Sequence, residues 1–555
     1  MKLKLKETID TFSESGYIKI LNIIALVLFG PVLFGIVFFG TALPYPDDMK
    51  PVISIPWILF YIITAAFIIG VLFVLKFLEN KIGNAKKTNY IFYALLFVFA
   101  LLTFFGIYYF SRQIAFYVPW DVSVVRGNAL NFARGEHLDS EVYFQIYENN
   151  IPIVYVLGKL YKKAVEHFDY NNMELIWIQV SCIMSAVAIL LTVWCVKITT
   201  KSTVLSVFAY FCSIALIGLS GWNMVPYTDS YGIMFPIMSV ILYICYINLS
   251  DKETGLSEAT DKKDKRKRIL VRVAGVACIA LSIVSCVAGC LIKPTIAIVY
   301  IAILLIGFVR LLHNIKKEWL GYLVVFICLI LALLGKKSLF QKMADEIGIV
   351  RNEHIAASAM SYLYMGQNED RCGMYNSDDA TVFGEFQLED TAVRDKVLFQ
   401  RSIKRMAEKG VLGCPFFWYK KMVMTFNEST FGFKKEVWMD GNYSPPIDDN
   451  NKITEITRKI YWVYGNSTRL YCTIIQMIWI SVLTGIIFSF IKKDKNVPIA
   501  FLKTIFIGIF LYQMLFEARA RYLYVFLPLF IVLSMSGYVY MVELYSIVIK
   551  KIKKR

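Results

Sequence analysis

Four short segments place charged side chains beside long apolar stretches, where hydrophobicity gives no reason for them. They are VPWDVSVVRGNALNFARG at 118–135, MVPYTDSYG at 224–232, LIKPTIAI at 291–298 and FEARARYLY at 516–524. In the first, Asp121 follows Trp120, an aromatic residue of the type that lies at the level of lipid headgroups. A carboxylate at that depth is partly desolvated, which makes Asp121 a candidate general base. The alternative is an aspartate that caps a helix beginning at residue 122.

The fourth segment carries Glu517, Arg519 and Arg521. An arginine at the bilayer centre would cost about 2.5 to 3.5 kcal/mol, so this cluster must reach the membrane interface or a polar cavity. Guanidinium groups bind phosphate oxygens through paired hydrogen bonds and keep their charge, so the two arginines predict a phosphate ligand. The alternative is an interfacial Arg–Glu ion pair, which does not explain the second arginine. Lys293, before Pro294, also favours an anionic partner.

Two more segments are expected on the same side as Asp121. Asp229 lies in a tight turn between two apolar stretches, and a turn or capping role is the alternative to a catalytic one. Residues 146–164, IYENNIPIVYVLGKLYKKA, have apolar residues at helical spacing and basic residues at their end. This pattern predicts a helix on the membrane surface, preceded by Asn149 and Asn150.

The elements that position these residues are predicted to be membrane-spanning helices. Of the 555 residues, 57% are hydrophobic and only 18% are charged, and the mean hydropathy is +0.56. This composition predicts an all-α polytopic membrane protein and excludes a disordered chain or a secreted disulfide scaffold. About 20 apolar residues are needed per span. Twelve stretches fit, centred near 30, 67, 101, 186, 212, 241, 281, 304, 328, 482, 508 and 535.

The net charge of +17 is explained by membrane topology rather than by nucleic-acid binding, because the basic residues form runs next to apolar stretches. When both termini are assigned to the cytoplasm, every basic cluster falls on the cytoplasmic side of the membrane. The clusters are Lys2, Lys4 and Lys6; Lys81, Lys86 and Lys87; 262–268; Lys316 and Lys317; Lys492, Lys493 and Lys495; and 550–555. The opposite side receives two long segments, at about 112–171 and 337–468. Amphipathic patches such as WYKKMV at 418–423 are expected to lie on the membrane surface.

Cysteine and histidine contribute little to the functional prediction. Most cysteines lie in apolar stretches and are expected to be inert, whereas Cys372 and Cys414 lie in the long polar segment and either pair or remain free thiols. None of the four histidines has a metal-ligand spacing with another His, Cys or Glu, so a zinc enzyme is not expected. No cofactor is indicated, and dependence on a divalent metal stays open.

In their order and common side, these motifs resemble those of the polytopic GT-C glycosyltransferases. The sequence is most similar to Gram-positive bacterial members of the protein O-mannosyltransferase-like group, which are relatives of the lipid A aminoarabinose transferase. The matching pieces, between about residues 90 and 530, are PWDVSVVRGNA, YENNIP, YTD, KPT and ARARYL. The resemblance implies that a monosaccharide moves from a polyprenyl-phosphate donor to an extracytoplasmic acceptor. That acceptor is a cell-envelope glycan, a teichoic acid or a protein.

Site roles follow from the same resemblance. Asp121 is implied as the catalytic base or as the group that positions the acceptor. Family members often carry an acidic pair in the first loop, but Val122 follows Asp121 here, so a second acid must come from elsewhere, with Asp229 as the candidate. Donor-phosphate binding is implied for Lys293, Arg519 and Arg521. Supporting roles are expected for Glu517, Tyr227, Asn149 and Asn150.

The expected organisation has four parts. Residues 1–89 carry two additional spans, 90–335 form a GT-C-like core that includes the 112–171 loop, 336–468 form an extracytoplasmic loop domain, and 469–555 form the last spans. The protein is expected in the cell membrane, with its active site extracytoplasmic and membrane lipids around it. An O-antigen-type polymerase or ligase and a lipid or polysaccharide transporter are the alternatives, although a transporter would carry charges within its spans.

Overall fold

In the computed structural model, the described residues are 14–40, 50–82, 86–169, 172–255, 262–313, 315–382, 390–436, 451–462, 467–492 and 496–553. Every regular element within these ranges is a helix. Some of the basic residues that orient the chain lie outside them, namely Lys2, Lys4, Lys6, Lys493, Lys495 and residues 554–555.

The first part of the chain alternates long apolar helices with shorter polar ones. In chain order they are α1 (Glu14–Phe39), α2 (Trp57–Ile82), α3 (Lys86–Ile114), α4 (Asp121–Arg134), α5 (Glu141–Ile146), α6 (Ile151–Phe168), α7 (Met173–Thr200), α8 (Thr203–Ser213), α9 (Thr228–Gly232), α10 (Met234–Gly255), α11 (Lys262–Ile292), α12 (Ala297–His313) and α13 (Ile315–Ile347).

The second part begins with short helices of the predicted external segment and ends with long apolar helices. They are α14 (Ala359–Gly366), α15 (Ser377–Thr381), α16 (Thr391–Glu408), α17 (Gly410–Phe426), α18 (Phe433–Glu436), α19 (Lys452–Tyr461), α20 (Thr468–Ile491), α21 (Val497–Leu515), α22 (Arg521–Tyr524) and α23 (Leu527–Ile552).

Ten helical stretches among the described residues are long and apolar enough to cross a membrane. They match the predicted stretches except those near 101 and 212, where the apolar helical parts are shorter: Val98–Ile114 within α3, and Thr203–Gly218, which begins with α8. The all-helical, polytopic fold is therefore confirmed. Most of α23 is buried among other helices, whereas few residues of α13 are buried, and much of its apolar surface is exposed. In a bilayer such a surface faces lipid.

The basic clusters and the four motifs lie at opposite ends of the same helices. α11 begins in the basic run 262–268 and ends at Ile292, next to Lys293. α21 follows Lys492 and ends shortly before Glu517. The charged motifs are consequently brought to one end of the helix bundle, as their sidedness requires.

The two amino-terminal spans belong to the same bundle as the last spans. α1 packs against α17, α20 and α21, and α2 packs against α8, α20 and α23. No role for these spans was predicted from the sequence, and their position shows that they cover the carboxyl-terminal helices.

α13 is longer than the sequence boundary implies. It continues without interruption through Lys336 and Lys337 to Ile347, so the helix crosses the boundary placed at residue 336. The two lysines stand on a helical extension of a span, which brings them beside the external segment.

The 418–423 stretch differs from its sequence interpretation. It lies in α17, whose carboxyl-terminal half packs against the spans instead of resting on the membrane surface. The Phe426 ring centre lies 5.7 Å from that of Phe29 on α1, and Lys421 is fully buried. A lysine can occupy this position only because buried acceptors receive its donors.

Candidate functional site

A cavity of about 1450 Å³ opens at the motif end of the bundle. Its walls come from the first external segment, the turns before α9 and α12, the loop between α21 and α22, and the second external segment. All of the residues singled out from the sequence line it: Asp121, Asn149, Asn150, Tyr227, Asp229, Lys293, Glu517, Arg519 and Arg521.

Asp121 is the first residue of α4 and follows Trp120, whose φ of 56° is unusual for a residue with a side chain. This backbone conformation lies at the junction between the preceding irregular segment and the helix, and both side chains line the cavity. Asp121 is thus not the cap itself, because Trp120 occupies the capping position. The Tyr227 hydroxyl donates to Asp121 Oδ2 at 3.2 Å.

A polar chain holds the tyrosines beside Asp121. Asn150 Nδ2 donates to the Tyr143 hydroxyl at 2.7 Å and approaches the Tyr227 hydroxyl at 3.5 Å. Asn149 donates to Asn150 Oδ1 at 3.1 Å. Burial, together with the nearby Asp121 carboxylate, raises the pKa of Tyr143 and of Tyr227 well above the usual value. Both phenols therefore keep their protons and remain donors.

Arg521 lies among aromatic rings on the neighbouring wall. Its guanidinium carbon is 5.2 Å from the Trp120 ring centre, 5.8 Å from that of Tyr227 and 5.3 Å from that of Tyr522. These distances suit cation–π contacts, which orient a guanidinium without neutralising it. Tyr227 therefore touches both the acid Asp121 and the cation Arg521.

Arg519 is paired with Glu517. Its Nε lies 3.3 Å from Glu517 Oε1, and its guanidinium carbon lies 5.7 Å from the Tyr375 ring centre. The Arg–Glu pair that the sequence offered as the alternative to phosphate binding is thus present for Arg519. Arg521 lies against the rings of Trp120, Tyr227 and Tyr522, so the cluster combines an ion pair with a cation in an aromatic setting.

Asp229 and Lys293 contact each other at the base of the cavity. The Lys293 ammonium donates to Asp229 Oδ1, and both residues are buried. The second oxygen, Asp229 Oδ2, has no hydrogen-bond partner among the described residues. Lys293 also lies 5.0 Å from the Tyr522 ring centre. The sequence assigned these residues to separate roles, whereas here each compensates the charge of the other.

Sequence reasoning missed the wall formed by the second external segment. Arg351 donates to both carboxylate oxygens of Glu148 at 2.8 Å, joining this segment to the first external one. Tyr362 and Tyr375 also line the cavity, but no motif or periodicity in the sequence marked them. Lys336 also lines the cavity. A lysine on the predicted outer side is unusual, and this was the sequence feature that could have marked it as part of the site.

Apolar side chains form part of the cavity wall at α11 and α13, where Lys336 and Lys337 also line it. Cys290 and Ile292 of α11 line it together with Leu333 and Phe340 of α13. Leu333 is mostly exposed, and it belongs to the apolar surface that α13 presents outside the bundle. The cavity that holds the charged side chains therefore borders directly on a helix with an exposed apolar surface.

No group of three or more His, Cys, Asp or Glu side chains within the described ranges is arranged to hold a metal ion. All eleven cysteines lie within those ranges and are free thiols, including Cys372 and Cys414. The question of their pairing is thus answered in favour of two free, buried thiols.

Ten candidate spans in a bundle with a cavity at one end define a multi-pass integral membrane protein. Residues 16–539 match a family described as conserved hypothetical integral membrane protein, and the chain belongs to this family. No curated protein and no solved structure matches the chain.

Proposed function

We propose that this protein is a membrane glycosyltransferase that moves a monosaccharide from a polyprenyl-phosphate donor to an acceptor hydroxyl in the cell envelope. The cavity end faces outward, and the basic helix ends and both termini are cytoplasmic. The acceptor is a glycan, a teichoic acid or a protein. Membrane lipid surrounds the bundle, and the donor lipid reaches the cavity along the apolar side next to α13.

The observation that carries this proposal is the meeting of Asp121 and Arg521 at Tyr227. Tyr227 donates to Asp121 at 3.2 Å, and its ring lies 5.8 Å from the Arg521 guanidinium. A candidate base and a candidate phosphate-binding cation therefore both contact the same side chain, that of Tyr227. Transfer of a sugar from a phosphate to a hydroxyl uses both a base and a cation that stabilises the leaving phosphate.

In the proposed reaction, the Asp121 carboxylate takes the proton of the acceptor hydroxyl. The acceptor oxygen attacks the anomeric carbon, and the bond from that carbon to the phosphate oxygen breaks with its electron pair left on the phosphate. Arg521, assisted by Arg519 and Lys293, stabilises the charge that grows on the leaving phosphate. Attack from the face opposite the phosphate predicts inversion.

The remaining residues have supporting roles in this proposal. Tyr227, Asn149 and Asn150 orient the Asp121 carboxylate, and Glu517 orients Arg519. Asp229 and Lys293 are buried together as an ion pair, so Asp229 can affect the reaction only by way of Lys293. Asp229 is therefore proposed to set the position of Lys293 and not to accept the acceptor proton.

The test uses purified protein in lipid nanodiscs with polyprenyl-phosphate sugars, and it follows donor consumption and donor binding separately. Asp121→Asn is expected to reduce turnover about 100-fold or more with donor affinity retained, the size of a lost general base. Arg521→Ala is expected to weaken donor binding at least about tenfold, as for a lost charged hydrogen bond. Asp139→Asn and Arg134→Ala, from the same external segment, serve as matched controls. Unchanged turnover in Asp121→Asn would remove the assigned base.

A polymerase or ligase that transfers a whole glycan is the second candidate, and one observation favours it. The cavity of about 1450 Å³ exceeds the range of about 300 to 1,000 Å³ typical of single small-ligand sites. Supplying a lipid-linked oligosaccharide in the same assay separates the two, since a ligase prefers it to the monosaccharide donor. A transporter would instead move labelled substrate across a sealed vesicle unaltered.

A further inference from the structure

Lys421 is a fully buried lysine that does not line the cavity. It lies in α17, and its Nζ donates to three backbone carbonyl oxygens. These are Gly366 O at 2.8 Å, Met514 O at 3.2 Å and Phe516 O. An ammonium group has three donors, so the three acceptors use its full capacity.

The three carbonyls belong to two helix ends that converge on this ammonium. Gly366 ends α14 of the external segment, and Met514 lies in the last turn of α21. The last carbonyls of a helix lack intrahelical partners and carry partial negative charge, which a buried cation stabilises. The intervening carbonyl of Leu515 accepts from the side chain of Gln367. Side chains of the external segment thus donate to three consecutive carbonyls at this helix end, those of Met514, Leu515 and Phe516.

The same contact continues into the loop that carries the arginines. The Glu517 amide donates to Tyr362 O at 2.8 Å, and the Ala518 amide donates to Gly373 O at 3.0 Å. The fit is close: a Cβ added to Gly366 would lie 2.3 Å from the carbonyl carbon of Phe516. The backbone immediately before Arg519 is therefore held by the external segment.

We propose that Lys421 is a positioning residue that fastens the external segment to the loop carrying Arg519 and Arg521, so that donor binding requires this docked arrangement. The proposal rests on the proposed function for its ligand, a lipid-linked phosphate, and on the geometry for the rest. Lys421 touches neither donor nor acceptor. It acts by fixing the two arginines where a phosphate meets them.

The charge of Lys421 makes this arrangement sensitive to pH. Burial lowers its pKa to about 7, against the opposing effect of Glu517. The other groups that face it are Lys409 and Cys372, and Lys409 itself donates to Gln367 O at 2.8 Å. As pH rises through 7 the ammonium becomes an amine with two donors, and one of the three carbonyls loses its partner. Docking is therefore expected to be firmest below pH 7 and to loosen above it.

Lys421→Met, with Lys420→Met on the same helix as the matched control, tests the proposal in nanodiscs. Two readouts are used: affinity for polyprenyl phosphate, and maleimide labelling of the buried native thiol of Cys372, resolved by mass spectrometry. Lys421→Met is expected to lose about tenfold or more in affinity and to label several-fold faster at Cys372, whereas Lys420→Met changes neither. Wild-type affinity or unchanged Cys372 protection in Lys421→Met would overturn the proposal.

If Lys421→Met does not fold, wild-type protein decides the question. Hydrogen exchange at the Glu517 and Ala518 amides, corrected for intrinsic rates, is expected to quicken relative to the α23 core as pH rises from 6 to 9, and constant protection would overturn the proposal. If wild-type protein binds no polyprenyl phosphate, the proposed function is wrong. The labelling and exchange measurements do not depend on that ligand, so they still test whether Lys421 docks the external segment.

Discussion

Tyr227 is the side chain that contacts both the acidic residue Asp121 and the basic residue Arg521 of the cavity. Its hydroxyl donates to Asp121, and its ring lies under the Arg521 guanidinium and edge-on to Trp120, with ring centres 5.6 Å apart. The two contacts use different parts of one residue, so they can be separated by substitution.

Tyr227→Phe is expected to keep the ring contacts and remove the hydrogen bond to Asp121. Donor affinity should stay within about twofold, and turnover should fall about tenfold, because a hydrogen bond to a charged group contributes about 1.5 to 3 kcal/mol. Steady-state kinetics and donor binding measured separately check this. Tyr161→Phe on α6 is the control, and a loss of donor affinity equal to the loss of turnover would contradict the division of roles.

The Asp229–Lys293 pair shows where residue-level prediction from sequence stops. Each residue was recognised as unusual at a span end, and each does line the cavity. Their mutual contact joins positions far apart in the chain, and burial of both is what forces it, since an isolated buried charge is strongly unfavourable. Sequence alone shows neither burial nor distance.

At the scale of elements, the external segment is attached to the first loop by the Arg351–Glu148 pair. Both hydrogen bonds measure 2.8 Å, and both side chains are mostly buried. This bidentate geometry differs from Lys337–Glu353, which has one contact at 3.3 Å between two exposed side chains. Exposed pairs contribute about 0 to 1 kcal/mol because solvent screens them.

Arg351→Glu is expected to destabilise the protein by about 1 to 2 kcal/mol, because two carboxylates replace a paired cation and anion. The reversed pair, Arg351→Glu with Glu148→Arg, should recover part of that loss. Thermal unfolding in detergent, analysed as a double-mutant cycle, measures the coupling. Lys337→Glu provides the comparison and is expected to have little effect; equal losses at both positions would contradict the distinction.

Helices and their breaks were predicted correctly where the apolar composition of the sequence determines them. Contacts between helices, which depend on packing, were not predicted. The break at Pro294 and the hairpin at Glu517 to Arg521 followed from the length limit on an apolar helix. By contrast, α17 packs against α1 and α21 through residues that look amphipathic in the sequence, and the docking of Lys421 onto two helix ends has no local signature. The tyrosine wall of the second external segment is missed for the same reason.

For the whole molecule, sidedness links the fold to the proposed function. The helices that border the cavity carry their basic clusters at their far ends, as α11 does with its run at 262–268. Positive residues are retained in the cytoplasm during insertion. By this rule the cavity is expected to open outside the cell, on the side where the proposed polyprenyl-phosphate donor would deliver its sugar to an envelope acceptor.

Orientation can be measured directly with two introduced thiols. Val350 is exposed beyond the end of α13 and Lys267 is exposed near the start of α11; none of the eleven native cysteines is exposed, so the wild-type background is low. With a membrane-impermeant maleimide on intact cells, Val350→Cys is expected to label fully. Lys267→Cys should label only after permeabilisation. The reverse pattern would place the cavity in the cytoplasm, where the proposed donor, acceptor and reaction would all have to be abandoned even if Asp121 and Arg521 proved essential for some other chemistry.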